Sequence, residues 1–120
     1  MNGFSFVADT NFLIDVHEGK EKVEPFLDGS VVISAISEIE LLGWHKLAEE
    51  DKKKLRNLLD DCIIFELTAE IRKLAIEIRQ ATKIKTPDAI IAATSKYLQL
   101  PLITSDKGFR NIPNIELILI

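Results

Sequence analysis

Two hydrophobic rhythms alternate along this chain: short unbroken apolar runs, and longer stretches in which apolar residues return every three or four positions. Phe4 to Ala8, apolar except for Ser5, reads as the first short buried strand, closed by the polar trio Asp9-Thr10-Asn11. Phe12, Leu13 and Val16 then recur at helical spacing as far as Gly19. A second short helix is predicted through Val23, Phe26 and Leu27, stopping at Asp28-Gly29. Val31-Val32-Ile33 is β-branched throughout and reads as a second strand. Ser34 is placed to cap the next helix, which carries Ile36, Ile39, Leu41 and Leu42.

The second half repeats the alternation. Residues 47–60 form a polar helix with a thin stripe of Leu47, Leu55, Leu58 and Leu59, and Cys62 to Phe65 follows as a third strand. Thr68 is placed to cap a strongly periodic helix with Ile71, Leu74, Ala75 and Ile78 on one face. Thr86-Pro87-Asp88 reads as a helix start, with Thr as cap, Pro in the first turn and Asp facing the positive helix end. That helix is expected to reach about Gln99, with Ala89, Ala92 and Ala93 small enough for close packing on a sheet. Leu102-Ile103-Thr104 is a fourth strand and Ile115 to Ile120 a fifth. All-apolar strands alternating with helices predict an α/β fold: a mainly parallel five-stranded sheet, buried on both faces and flanked by helices.

With 120 residues, 5 Gly, 4 Pro and 47% hydrophobic content, the chain is expected to be one domain spanning 1–120, not disordered or collagenous. No repeat or flexible linker divides it. The longest apolar run, Ala89 to Ala93, is five residues, far from the ~20 that span a bilayer, and no secretory leader is visible. Cys62 is the one cysteine and sits in an apolar run, which predicts a buried, inert thiol and a cytoplasmic location without a membrane. The net charge of −4 hides an uneven distribution: residues 66–120 carry 6 acids and 8 bases. Net charge alone therefore does not decide against nucleic acid.

In parallel sheets, ligands gather beyond the carboxyl ends of the strands. Asp9 follows strand one, Glu38 and Glu40 follow strand two, and Asp106 follows strand four. Asp88 opens the helix that leads into strand four; two successive helices precede that strand, so the crossover rule does not fix its edge. Carboxylates gathered together repel one another unless a cation sits among them. An all-oxygen set suits Mg²⁺ or Mn²⁺, which clamp phosphate oxygens and lower the pKa of a bound water. Each acid also has a plainer reading. Asp9 fits a helix cap, Glu40 fits the partner of Ser37 in a capping box, Asp88 serves the helix dipole, and Asp106 suits a turn. The spacing does not choose between Glu38 and Glu40.

The segment Val7-Ala8-Asp9-Thr10-Asn11-Phe12-Leu13-Ile14-Asp15 resembles the opening motif of PIN-domain nucleases, in particular the VapC-like ribonuclease toxins. Ile33 to Leu42 is similar to their second motif, Thr86 to Thr94 to their third, and Leu102 to Phe109 to their fourth. The motifs come in the right order and cover essentially the whole chain. One departure is Gly43 directly after Leu42, a residue earlier than in many relatives. The resemblance selects Glu40 over Glu38 and implies Asp9, Glu40 and Asp88 as central acids, with Asp106 completing the set. It also implies a three-layer sandwich, one or two Mg²⁺ or Mn²⁺ ions, cleavage of single-stranded RNA, frequent homodimers, and a small antitoxin protein whose tail covers the site. Thr104 would support metal, water or phosphate through its hydroxyl, or bond its own backbone. Asn11 matches a frequent polar position beside the first acid, or caps the first helix.

Cations are needed beside such acids to hold an RNA backbone. Lys83, Lys85, Lys107 and Arg110 flank the third and fourth motifs and are the candidates, whereas Lys52-Lys53-Lys54-Arg56 reads as a solvated helix face. Trp44 and Tyr97 fit helix faces and are also able to stack a base. Two other functions compete with the metal-dependent ribonuclease. A phosphatase using Asp9 as nucleophile, like the haloacid-dehalogenase-like enzymes, expects a second Asp where Asn11 stands. A non-catalytic interaction module of the same fold would usually have lost a central acid, and here none is lost.

Overall fold

The computed structural model describes residues 4–120. The first three residues of the expected domain, at the terminus read for a leader, lie outside it. Five strands form one sheet in the order β3-β2-β1-β4-β5, with every neighbouring pair parallel: β1 Ser5–Ala8, β2 Ser30–Ser34, β3 Ile63–Phe65, β4 Leu102–Thr104 and β5 Leu117–Leu119. The helices are α1 Thr10–His17, α2 Ala35–Leu42, α3 Glu49–Asp60, α4 Ala69–Ala81 and α5 Thr86–Leu98.

Alternation along β1 divides the core into two. Phe6 and Ala8 point to one side with Ile33 and Ile103, and there meet Phe12 and Leu13 of α1 and Leu55 and Leu59 of α3. Val7 points to the other side with Val32 and Leu102, against Ile71 and Ile78 of α4 and the fully buried Ala89, Ile91, Ala92 and Ala93 of α5. Helices on both faces of a parallel sheet make a three-layer sandwich, as the sequence predicts. The alanines let α5 lie close to the strands; a larger side chain there would overpack the layer.

Burial on both faces holds for the central strands only. Ile63 on the β3 edge is 57% exposed, and Leu119 on β5 is also exposed. Both edge strands are shorter than the sequence predicts. Cys62 lies in the turn after α3, outside β3: its amide donates to the Leu59 carbonyl and its thiol to the Leu58 carbonyl. It is half-buried, and burial pushes its pKa up to about 11, so the thiol stays protonated. The predicted second helix is a 3₁₀ segment, Glu21–Phe26, in which Pro25 has no amide to continue an α-helix.

Three further expectations change locally. Lys85, not Thr86, is the N-cap of α5, because its carbonyl already accepts from Ala89. Trp44 lies beyond α2 instead of on a helix. Leu47 precedes α3, which starts at Glu49. Gly43 closes α2 with an ordinary φ of −86°, so the early glycine is required by space: a Cβ there would collide with the Ile39 carbonyl oxygen.

Candidate metal centre at the carboxyl edge of the sheet

The chain leaves β1 for β2 and β3 on one side, and later returns to β4 and β5 on the other. Connections therefore diverge above β1 and β4, which opens a crevice at their carboxyl ends. Asp9 stands at that point. The register pairs Ala8 with Ile103, so the next residues, Asp9 and Thr104, come level. Thr104 donates its hydroxyl proton to Asp9 Oδ2 at 2.6 Å, and Asp9 Oδ1 accepts from the Phe12 amide at 2.9 Å. Asp9 thus caps α1 as well, which its two oxygens allow. At 2% exposure, burial pushes its pKa up to about 6; the two hydrogen bonds oppose this, and the Asp106 and Asp88 charges add to it.

Thr104 is itself fully buried and accepts from the Asp106 amide at 2.9 Å, so its hydroxyl joins the two acids instead of bonding its own strand. Asp106 opens a 3₁₀ turn, Lys107–Asn111, by accepting from Gly108 at 2.8 Å. A Cβ at Gly108 would approach Asp106 Oδ1 to 3.0 Å, so glycine leaves room for the carboxylate that its own amide holds. Asp88, in the first turn of α5, has its pKa raised by burial, then by Asp106 and Glu40, against the pull of Lys85. The four acids therefore act on one another through a common field.

The two glutamates of α2 separate clearly. Glu38 pairs with Arg56 at 2.9 Å, while Glu40 Oε1 takes the Thr10 hydroxyl at 2.7 Å, beside Asp9. Ser34, not Ser37, caps α2, so Glu40 is not a capping-box partner. Asn11 is exposed, and the capping role open to it belongs to Asp9. Lys83 and Lys85 line an open cleft of about 350 Å³ with Asp88, Asp106, Gly108 and Asn111. Lys107 and Arg110 are exposed on the neighbouring turn, outside that lining. Lys54 and Arg56 are engaged by acids on the outer surface of the α2–α3 region.

Sequence reasoning missed Thr10, whose only signal was its place in the turn after Asp9, and Asn111, for which there was none. Tyr97 packs on Phe65 at 5.9 Å between ring centroids, away from the acids. Trp44 is 55% exposed and lines a second groove of about 610 Å³ that starts at Thr10 and Glu40.

The donor chemistry fits a hard divalent cation. Carboxylates gather without thiol or imidazole, and among the described residues none of the four is in an ion pair. Among the same residues, no three His, Cys, Asp or Glu side chains stand close enough to grip one ion as placed. The four share a field, not a closed ligand shell.

A parallel α/β sandwich with Asp9 at its topological switch point, coupled electrostatically to Asp88 and Asp106, defines the class: a doubly covered parallel sheet with acidic groups at its carboxyl edge. The PIN domain family matches residues 6–115, and the chain belongs to that family. A chain of a toxin–antitoxin complex from Klebsiella pneumoniae is 31% identical, with 94% of this chain and 95% of that one covered and a TM-score of 0.81. A chain of the VapBC2 complex of Rickettsia felis, bound to a promoter DNA fragment, shares the fold at TM-score 0.86 and 22% identity, over 98% and 99% of the two chains. A chain of the FitAcB structure from Neisseria gonorrhoeae gives 0.75 at 25% identity, over 94% and 96%. Among curated proteins, none matches the chain at a significant level. Among the described residues, no helix is long and apolar enough to cross a membrane.

Proposed function

We propose that this chain is a Mg²⁺- or Mn²⁺-dependent ribonuclease that cuts single-stranded RNA, and the toxin of a toxin–antitoxin pair. The observation that supports this reading is the electrostatic coupling of Asp9 and Asp88 to Asp106, and of Asp88 to Glu40, with the pKa values of Asp9 and Asp88 raised. Such an arrangement favours a cation over four unpaired charges. A divalent ion held by these acids would supply Lewis acidity and a water of lowered pKa at the phosphodiester.

The chain's own residues do the rest. Thr104 fixes the orientation of Asp9 and, through the Asp106 amide, the loop that carries the fourth acid. Lys83 and Lys85 are placed in the cleft to hold RNA phosphates next to Asp88 and Asp106, with Lys107 and Arg110 further out. A phosphatase with Asp9 as nucleophile is disfavoured, since Asn11 stands where such an enzyme needs its second Asp.

Two partners belong to this reading. The toxin–antitoxin complex that resembles the chain at 31% identity supports an antitoxin. The groove from Glu40 through Ile14, Leu41 and Leu55 to Trp44 offers it an apolar seat beside the acids. A second copy would meet the α4–α5 face, where Leu67 and the 58%-exposed Ile76 border a shallow cleft. The lone, unpaired Cys62 and an RNA substrate are in keeping with the cytoplasm.

The test is RNA cleavage with Mn²⁺ or Mg²⁺ by the wild type, Asp9→Asn and a chelated control. Cleavage should disappear in the variant and in the chelated sample. Equal cleavage by wild type and variant would sink the assignment.

A further inference from the structure

Glu40 differs from the other three acids. It is exposed on the last turn of α2, and its long side chain has far more freedom to lose than the buried Asp9. Thr10 Oγ1 lies 2.7 Å from Glu40 Oε1 and 3.0 Å from Ser37 Oγ. A hydroxyl has one proton, and an ionised carboxylate only accepts. The proton of Thr10 therefore goes to Glu40, at the length of a charge-assisted bond. The proton of Ser37, which is fully buried, then goes to the lone pair of Thr10. Ser37 stands three residues before Glu40 on the same face of α2. The relay Ser37, Thr10, Glu40 thus ties the end of α2 to the residue next to Asp9.

We propose that Thr10, ordered by Ser37, is a positioning residue that holds the Glu40 carboxylate toward Asp9 for the divalent ion. This rests on the metal-dependent reading above. The pair carries no charge of its own: it sets direction, and the acid supplies the field. Threonine suits the position because its methyl group and restricted χ1 leave the hydroxyl few alternatives.

The experiment is Mn²⁺ titration calorimetry on the full chain, with the unfolding midpoint of each variant measured alongside. Thr10→Ser should bind Mn²⁺ within about twofold of wild type, and Thr10→Val about tenfold more weakly, the scale of one lost hydrogen bond to a charge. Thr10→Ala carries the same test where Thr10→Val does not fold. In a Glu40→Gln background the Thr10→Val loss should vanish, because the group it positions has no charge to offer. Wild-type affinity in Thr10→Val, or a loss that persists undiminished beside Glu40→Gln, overturns the role. Absence of Mn²⁺ binding by the wild type overturns the metal reading itself and this role with it.

Discussion

The Thr104 hydroxyl donates to Asp9 Oδ2 at 2.6 Å across 95 positions of sequence. The same oxygen receives the Asp106 amide, so one buried group joins the ends of β1 and β4. Removing the hydroxyl leaves a carboxylate and an amide short of a partner. Thr104→Val should destabilise the protein by about 1–3 kcal/mol, while Thr104→Ser keeps both bonds and loses less. Denaturant unfolding at neutral pH checks this, and the Asp9 pKa should climb above its value of about 6 in the valine variant only.

That raised pKa fixes a pH dependence. Asp9 ionises near 3.8 in the unfolded chain and near 6 in the folded one. Between those values the folded state holds more protons, so stability falls as pH rises through the window. Asp88 is shifted in the same direction. For Asp9 the drop is on the order of 3 kcal/mol, complete above pH 6. Metal-free protein should therefore be more stable at pH 4.5 than at pH 7 with respect to this group, and Asp9→Asn should flatten the slope. Unfolding curves across that range, compared between the two proteins, decide it; identical slopes would mean that Asp9 titrates normally.

Much of this was legible in the sequence because it depends on local pattern. The apolar runs within β1, β2 and β4 and the helical rhythm of α4 mark elements that bury their apolar residues in the core. Asp9 and Asp106 are visible because they end such runs. Glu40 is not separable from Glu38 by spacing, since the choice is made by tertiary partners: Thr10 for one, Arg56 for the other. The cap of α5 shifted by one residue for a similar reason. Helix starts are decided by which carbonyl first finds a donor, and that of Lys85 does so ahead of the threonine. The place of Trp44 depends on the steric stop at Gly43, which hydrophobic periodicity does not register.

The two glutamates of α2 give a matched pair of variants. Glu38→Gln breaks a half-exposed ion pair with Arg56, worth at most about 1 kcal/mol, and should leave RNA cleavage intact. Glu40→Gln keeps size and the Thr10 contact but removes a charge from the centre, so cleavage should fall by about two orders of magnitude or more. Parallel rate measurements at saturating Mn²⁺ would detect a reversal, which would reassign the acid.

Trp44 is the only tryptophan and is 55% exposed in the apolar groove. Its emission should be that of a wet indole in the free protein and shift to the blue when an antitoxin covers the groove. Trp44→Ala should change stability by less than about 0.5 kcal/mol, as for a surface site. Its cost in complex affinity should exceed about 1 kcal/mol if the side chain is buried by the partner. An unshifted spectrum in a stable complex would place the partner on another face.

Salt dependence locates the RNA path. Lys83 and Lys85 border the cleft that holds Asp88 and Asp106, so those two lysines would release condensed counterions from strand phosphates bound there. Each substitution, Lys83→Ala or Lys85→Ala, should reduce the slope of log affinity against log salt by about 0.7, the single-strand value per contact. The Asp9→Asn background prevents cleavage during the titration, and anisotropy of a labelled RNA supplies the readout. Lys85→Ala carries a second signature, because that lysine opposes the upward shift of Asp88 and its loss moves the Asp88 pKa further up. Lys52→Ala and Lys53→Ala, on the far groove beside α3, should leave the slope unchanged. A larger effect there than at Lys83 and Lys85 would move the RNA across α3 and away from the carboxylates.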